Sequence, residues 1–201
     1  MDALINAGGK GTRMGKCGVE KPMLTVGGKP TIQRVLEAVS ASSHVDRVLV
    51  SVSDNTPGTE RFLHRMGVET LLTTGEGFME DIHMSFERLT SEFVLVSPSD
   101  LPLLNTSAVD ALIEFFNPEM MESAMAVIDK ETVCRAGVVP SYTMEDGGKE
   151  WVLSGISIMD RERTLRGEYL KEYCFQTDWF ELAVNVNTQH ELELARSYFR
   201  G

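Results

Sequence analysis

A chain of 201 residues has room for one domain with a full core, and two domains would be cramped. Its 42% apolar and 24% charged residues are ordinary for a soluble globular protein, and no apolar run is long enough to span a membrane. The net charge of -11 makes nucleic acid a poor partner, yet residues 1–34 hold six Lys/Arg against two Asp/Glu, so a basic segment opens an acidic chain.

That segment suits a small, highly charged anion. Equally, Lys10, Arg13, Lys16, Lys21, Lys29 and Arg34 can simply solvate a surface. Cys17, Cys134 and Cys174 form no close pair, and the N-terminus shows no basic-then-apolar leader; free thiols in a reducing cytoplasm are expected. The four histidines are scattered, which argues against a zinc cluster.

Strand and helix signals alternate. Ala3–Ala7 reads as a short buried strand, and Ile32, Val35, Leu36 and Val39 lie at helical spacing. RVLVSVS (47–53) is a β-branched strand. Thr56-Pro57 then reads as an N-cap followed by proline at the first helical position, and that helix stops at Gly67. VETLLTT (68–74) is a third strand, and Phe78, Ile82, Phe86 and Leu89 form a helical stripe. FVLVS (93–97) is a fourth strand, followed by a helix striped with Val109, Leu112, Ile113 and Phe116. AMAVID (124–129) and WVLSGISIM (151–159) are later strands, separated by the polar loop 140–150. Thr188 and Glu191 predict a capping box before a final helix with Leu192, Ala195 and Phe199 on one face. Strands alternating with helices predict an α/β fold: a Rossmann-like three-layer α/β/α arrangement on a mostly parallel, mixed central sheet.

In such a sheet ligands bind outside the carboxyl ends of the strands. The first strand runs into a loop with five glycines and four cations within residues 4–21. Glycines let a backbone approach a ligand closely and present N–H groups to phosphate oxygens. A Walker loop requires Gly-Lys-Ser/Thr, whereas Gly9-Lys10 is followed by Gly11. A dinucleotide loop requires G-x-G-x-x-G leading into a helix, and Gly9, Gly11 and Gly15 are spaced differently. A long, open, basic glycine loop is suited to wrapping a triphosphate. At the same edge, VLVSPSDLPLL (94–104) places Asp100 just past a buried strand. Alone it reads as a turn or cap residue; beside a triphosphate loop it is a candidate Mg²⁺ ligand.

LINAGGKGTRMG, then Glu20-Lys21-Pro22, SPSD and NVNT, resembles the nucleotidyltransferases with a glycosyltransferase-A-type fold, in family order and over nearly the whole chain. Within them it is most similar to the archaeal GTP:adenosylcobinamide-phosphate guanylyltransferases. Those share the shortened GTRMG…VEKP loop, Asn55-Thr56-Pro57 after the second strand, a segment here formed by Gly75, Gly77, Phe78, Glu80 and Asp81, and a glycine in a late strand, here Gly155. The resemblance implies one nucleotidyltransferase domain over 1–201, with GTP and adenosylcobinamide phosphate as substrates, Mg²⁺ as cofactor and a possible homodimer.

It also implies roles. Gly8, Gly9, Gly11 and Thr12 would hold the nucleotide and its phosphates. Lys10, Arg13 and Lys21 would neutralise the α-phosphate and the departing pyrophosphate. Asp100 would hold Mg²⁺. Gly75 and Gly77 would lie near the nucleoside, and Gly155 would leave room for backbone or ligand. The residues alone also allow a helix-entry turn at Gly75 and Gly77, a bulge at Gly155 and a solvated first-turn carboxylate at Asp81. Many relatives carry aspartate as a second metal ligand where this chain has Asn185. Asn187 lies two residues on, on the same face if the segment is a strand. A phosphate-monoester acceptor, with a second pKa of about 6, is mostly dianionic and needs no general base. Cys17 beside Lys16 is expected to be a bystander, and the eleven methionines are expected to be mainly core filler. A sugar-phosphate or molybdopterin nucleotidyltransferase and an inactive nucleotide-binding regulator are the competing readings.

Overall fold

A computed structural model describes residues 1–11, 18–140 and 142–200. Thr12, Arg13, Lys16 and Cys17 therefore lie outside the described residues, and nothing further is assigned to them. One 8-stranded sheet runs through the molecule. Its strands are β1 (Asp2–Asn6), β4 (Arg47–Val52), β5 (Glu69–Leu72), β6 (Phe93–Pro98), β7 (Ser123–Asp129), β8 (Thr143–Asp146), β9 (Lys149–Asp160) and β10 (Glu172–Thr177). Two further short strands, β2 (Thr25–Val26) and β3 (Lys29–Pro30), form a separate hairpin. Along the sheet the order is β10-β7-β9-β6-β1-β4-β5, with β8 hairpinned onto β9.

The pairs β1–β4, β1–β6, β4–β5 and β10–β7 are parallel, while β9 runs against both β6 and β7. The sheet is thus mixed and mostly parallel, as expected. From β1 the chain moves outward through β4 and β5, then returns to place β6 on β1's other side. That reversal opens a crevice at the carboxyl ends of β1 and β6, where open α/β sheets take their ligands.

Strand residues alternate between two apolar layers, because successive side chains point to opposite faces. Ala3, Ile5, Val50 and Leu95 join the larger core, under helices α1 (Thr31–Ser40), α2 (Pro57–Arg65), α4 (Thr106–Phe115) and α7 (Gln189–Ser197). Leu4, Leu49, Val94 and Val96 face the other way, onto Ile82 and Phe86 of α3 (Phe78–Phe86) and Leu165 of α6 (Arg161–Leu165). The helix stripes expected from the sequence are buried on the sheet except at Phe78, which is exposed at the start of α3, and Phe199, which lies past the end of α7 and is exposed; the three layers are real. The remaining helix, α5 (Lys130–Arg135), follows β7 directly.

Three local expectations change. Residues 143–150 are not a polar loop but the β8–β9 hairpin. Gly147 and Gly148, at φ 60° and 76°, supply the two positive-φ residues of a tight two-residue turn between Asp146 and Lys149. Polarity misled there because β8 and the first residues of β9, Lys149 and Glu150, are largely exposed. Second, β10 closes one end of the sheet although its sequence, EYCFQT, carries no strong alternation. Third, Thr56 occupies the N-cap position of α2 but caps nothing; its hydroxyl is turned to Ser53. The Thr188–Glu191 capping box on α7 is present as expected.

Candidate active site

The crevice is a cleft of about 410 Å³, within the usual range for a small-molecule site. The loop after β1 forms one wall. Gly8 lies at its base, not on the cleft: its carbonyl accepts from Ser53 Oγ at 2.6 Å, and a Cβ there would press on Ser53 and the Val52 carbonyl carbon at 3.3 Å. Gly9 is exposed on the cleft, and no atom of the described residues lies within 4 Å of where a Cβ would stand, so its bareness faces the ligand space. Gly11, at φ 59°, places a turn against the Cβ of Lys21. Lys10 Nζ reaches across the mouth to Glu76 Oε2 at 2.8 Å.

The opposite wall is the turn between β5 and α3. Gly75 has φ 66°, and its N–H donates to Asp81 Oδ1 at 2.9 Å. Gly77 opens α3, and the half-exposed Phe78 follows it on the cleft. Asp81 is buried and ties this turn together, which corrects the reading of it as a solvated helix carboxylate.

At the floor, the short turn Lys21–Met23 aims Lys21 inward. Its ammonium forms an ion pair with Asp100 Oδ2 and donates to Asn187 Oδ1 at 2.9 Å. Asp100 is only 9% exposed, and its second oxygen, Oδ1, is buried without a hydrogen-bond partner. The segment after β10 docks against it, since Val186 N donates to Asp100 O at 2.9 Å. Asn187 is fixed from behind: Glu191 Oε2 accepts from its N–H at 2.7 Å and from Thr188 N at 2.9 Å. The α7 capping box thus also aims a cleft residue.

Two assignments move. Asn185 does not line the cleft; its Nδ2 donates to Ser154 O at 3.2 Å. Residues 184–187 are not a strand, so i and i+2 do not share a face, and Asn187 is the amide at the cleft. Gly155 also lies off the cleft lining. It sits, at φ 86°, in a bulge of β9 opposite the register break between Met125 and Val127 and faces Pro98. Of the other cations, Lys29 pairs with Glu37, and Arg34 bonds the Val26 and Gly27 carbonyls under the Phe199 ring. Both are structural, and among the described residues it is Lys10 and Lys21 of the basic segment that line the cleft.

An aspartate with a free, buried oxygen, an amide oxygen nearby and, among the described lining residues, no soft donor is a hard-oxygen set of the kind Mg²⁺ accepts, provided phosphates and water complete it. Among the described residues no group of three or more His, Cys, Asp or Glu could hold a metal by itself.

Residues 3–194 match the model of the MobA-like NTP transferase domain. The chain belongs to that family. It is 31% identical to the adenosylcobinamide-phosphate guanylyltransferase of Methanocaldococcus jannaschii, over 97% of this chain and 95% of the relative. It is 26% identical to a probable molybdenum cofactor guanylyltransferase of Thermococcus gammatolerans, over 96% and 97%. In fold it is similar to a CMP:2-keto-3-deoxy-manno-octonic acid synthetase complexed with CTP, with a TM-score of 0.77, 16% identity and coverage of 99% and 98%. Family membership makes the chain a nucleotidyltransferase. No helix among the described residues is long and apolar enough to cross a membrane.

Proposed function

We propose that the protein transfers GMP from GTP to adenosylcobinamide phosphate and releases pyrophosphate, with Mg²⁺ as cofactor. The observation that carries the chemistry is the floor of the cleft: Asp100 offers a buried, unpartnered oxygen beside the Lys21 ammonium. The acceptor is favoured by full-length similarity to the Methanocaldococcus jannaschii enzyme. A second reading, a molybdenum cofactor guanylyltransferase, is supported by the near-complete overlap with the Thermococcus gammatolerans relative. Both named relatives are guanylyltransferases, which is what favours GTP.

In this reaction an oxygen of the acceptor phosphate attacks the α-phosphorus of GTP, and the bond to the bridging oxygen of pyrophosphate breaks. Two anions must meet. Gly9 and Gly11 give close backbone approach to the triphosphate, and Lys21 and Lys10 offset its charge. Mg²⁺, held by Asp100 with Asn187 near it, would neutralise phosphate oxygens. Gly75, Gly77 and Phe78 leave an open, partly apolar wall for the nucleoside. The attacking monoester is already ionised, with a second pKa of about 6, so no base is required. Consistently, none of the four histidines lines the cleft.

The test is a pyrophosphate-release screen of GTP, ATP, CTP and UTP against a corrinoid phosphate, molybdopterin and a sugar phosphate. Turnover with GTP and the corrinoid phosphate is expected. Turnover with molybdopterin alone would select the second reading, and equal calorimetric affinity for GTP and ATP would remove the guanylyl assignment.

A further inference from the structure

We infer that Glu20 is a positioning residue: seated on the N-terminus of α2, it holds Lys21 against Asp100 and Asn187. Its catalytic consequence rests on the proposed function; its structural consequence does not. Glu20 Oε1 accepts from Gly58 N at 2.6 Å, and Oε2 accepts from Thr59 N at 2.6 Å and Thr59 Oγ1 at 2.7 Å. A carboxylate there meets free helical N–H groups and the positive end of the helix dipole.

Capping alone does not account for this arrangement. The helix already carries a threonine at its N-cap position, and Thr56 is turned away to Ser53. The cap comes instead from 38 residues upstream, from the residue that immediately precedes Lys21. Gly58 admits it: a Cβ on Gly58 would stand 2.8 Å from Glu20 Oε1.

The consequence for Lys21 follows from the chain. Glu20 O accepts from Met23 N at 2.9 Å, closing the turn that contains Lys21. Downstream, Thr31 Oγ1 at the start of α1 bonds Pro22 O at 3.0 Å. The turn is therefore fastened at both ends, to α2 by Glu20 and to α1 by Thr31. A lysine has four rotatable carbons and little intrinsic aim. Held only from the α1 side, its ammonium would sample the cleft instead of resting between Asp100 and Asn187. The same seat fills the α2 N-terminus, so that helix end is not where phosphate binds.

The test uses Glu20→Ala, Glu20→Gln and Gly58→Ala, with Leu63→Ala as control. Leu63 is fully buried on the same helix and takes no part in the hydrogen bonds of Glu20, which go to Gly58 and Thr59. The first readout is the carboxyl ¹³C resonance of Asp100 in the ligand-free protein. Both Glu20 variants and Gly58→Ala should shift it in the direction produced by Lys21→Ala; Leu63→Ala should leave it in place while lowering Tm. The second readout is kcat with GTP. Glu20→Ala should lose at least about tenfold in kcat, yet cost nothing further in a Lys21→Ala background, because residues acting through one another are non-additive. An unshifted Asp100 signal, or an equal kcat loss with and without Lys21, overturns the proposal and reduces Glu20 to a helix cap. If wild type turns over no nucleotide, the proposed function falls, and the ligand-free resonance still decides the role of Glu20.

Discussion

Lys21 and Asp100, 79 residues apart in sequence, form an ion pair at the floor of the cleft, and Asp100 keeps its other oxygen buried and unpartnered. In the proposed reaction the pair would join the group that meets phosphate to the group that meets metal. In the ligand-free protein each satisfies the other. Lys21→Ala is expected to cut kcat by about 10²–10³, the usual loss for a charge-stabilising group. It also strands a carboxylate. Breaking a fully buried pair costs about 3–5 kcal/mol. These side chains are 18% and 12% exposed, so a smaller loss of about 1–3 kcal/mol is expected by thermal melting. Removing the ammonium should also strengthen Mn²⁺ binding to the ligand-free protein, measured by electron paramagnetic resonance. Unchanged Mn²⁺ affinity would show that Asp100 does not meet metal.

Asp100→Asn keeps shape and removes charge. From sequence, an edge residue past a strand should shift stability by only about 0.5 kcal/mol. Burial beside Lys21 raises that to about 1–2 kcal/mol, since a charged partner is lost. Initial rates should fall steeply and recover in part as Mg²⁺ is raised. A normal rate with a normal Mg²⁺ response would leave Asp100 as a turn residue.

The glycines separate by what faces them. Gly9→Ala should leave Tm nearly unchanged, because no described residue lies within 4 Å of the new methyl, and should weaken GTP binding because the methyl enters the cleft. Gly75→Ala should do both kinds of damage. Its φ of 66° disfavours alanine, and the Cβ would stand 2.6 Å from Ser53 Oγ and 2.7 Å from Asn55 Nδ2. A loss of about 1–3 kcal/mol is expected from the backbone alone. Calorimetry and melts on both variants test the division; a Gly9→Ala protein that binds GTP normally would move the nucleotide off this loop.

Much of this was legible beforehand because the signals were local. β1, β4 and β6 each carry an uninterrupted apolar run (residues 3–5, 48–50 and 93–96), and such runs in an α/β chain form buried strands. The motif singles out Lys21, and the place past a strand singles out Asp100; the fold brings the two together at the cleft. Asn187 over Asn185 was not legible, since the choice depends on how the segment after β10 docks on Asp100 and how Glu191 fixes its backbone. The cap from Glu20 was hidden for the same reason: a helix N-terminus advertises its nearest threonine, not a carboxylate from a distant loop. β8 and β10 were missed because exposed edge strands carry little apolar pattern.

The two asparagines should part under mutation. Asn187→Ala removes one of the two acceptors, the other being Asp100, that hold the Lys21 ammonium, and kcat should drop by about tenfold or more. Asn185→Ala removes one bond to Ser154 O outside the cleft and should lower stability by about 1 kcal/mol with little effect on kcat. Steady-state rates beside urea unfolding curves decide it; the reverse ordering would return the metal role to Asn185.

Asp2 gives a prediction at the far edge of the sheet from the cleft. It is buried at the start of β1, where Oδ2 accepts from Thr90 N at 2.8 Å and Ser91 N at 3.0 Å. Burial alone pushes its carboxyl upward, but the two backbone N–H groups and the Arg47 guanidinium outweigh it and hold the pKa below the ordinary 3.8. With the folded pKa below the unfolded one, the unfolded chain binds the proton first as pH falls. The stabilisation is therefore complete above about 3.8 and is lost as pH drops through the lower, folded value. Asp2→Asn keeps an oxygen that can accept both N–H groups but removes the charge that strengthens those bonds and faces Arg47, so it should cost about 1–2 kcal/mol at pH 7. The gap between variant and wild type should then narrow on acidification below about 3.8. Turnover per folded molecule at pH 7 should not change. Urea unfolding at a series of pH values measures the gap directly, and a gap that stays constant from neutral pH to the acid limit would mean that the Asp2 charge does not hold the β1 end to the Thr90–Ser91 turn.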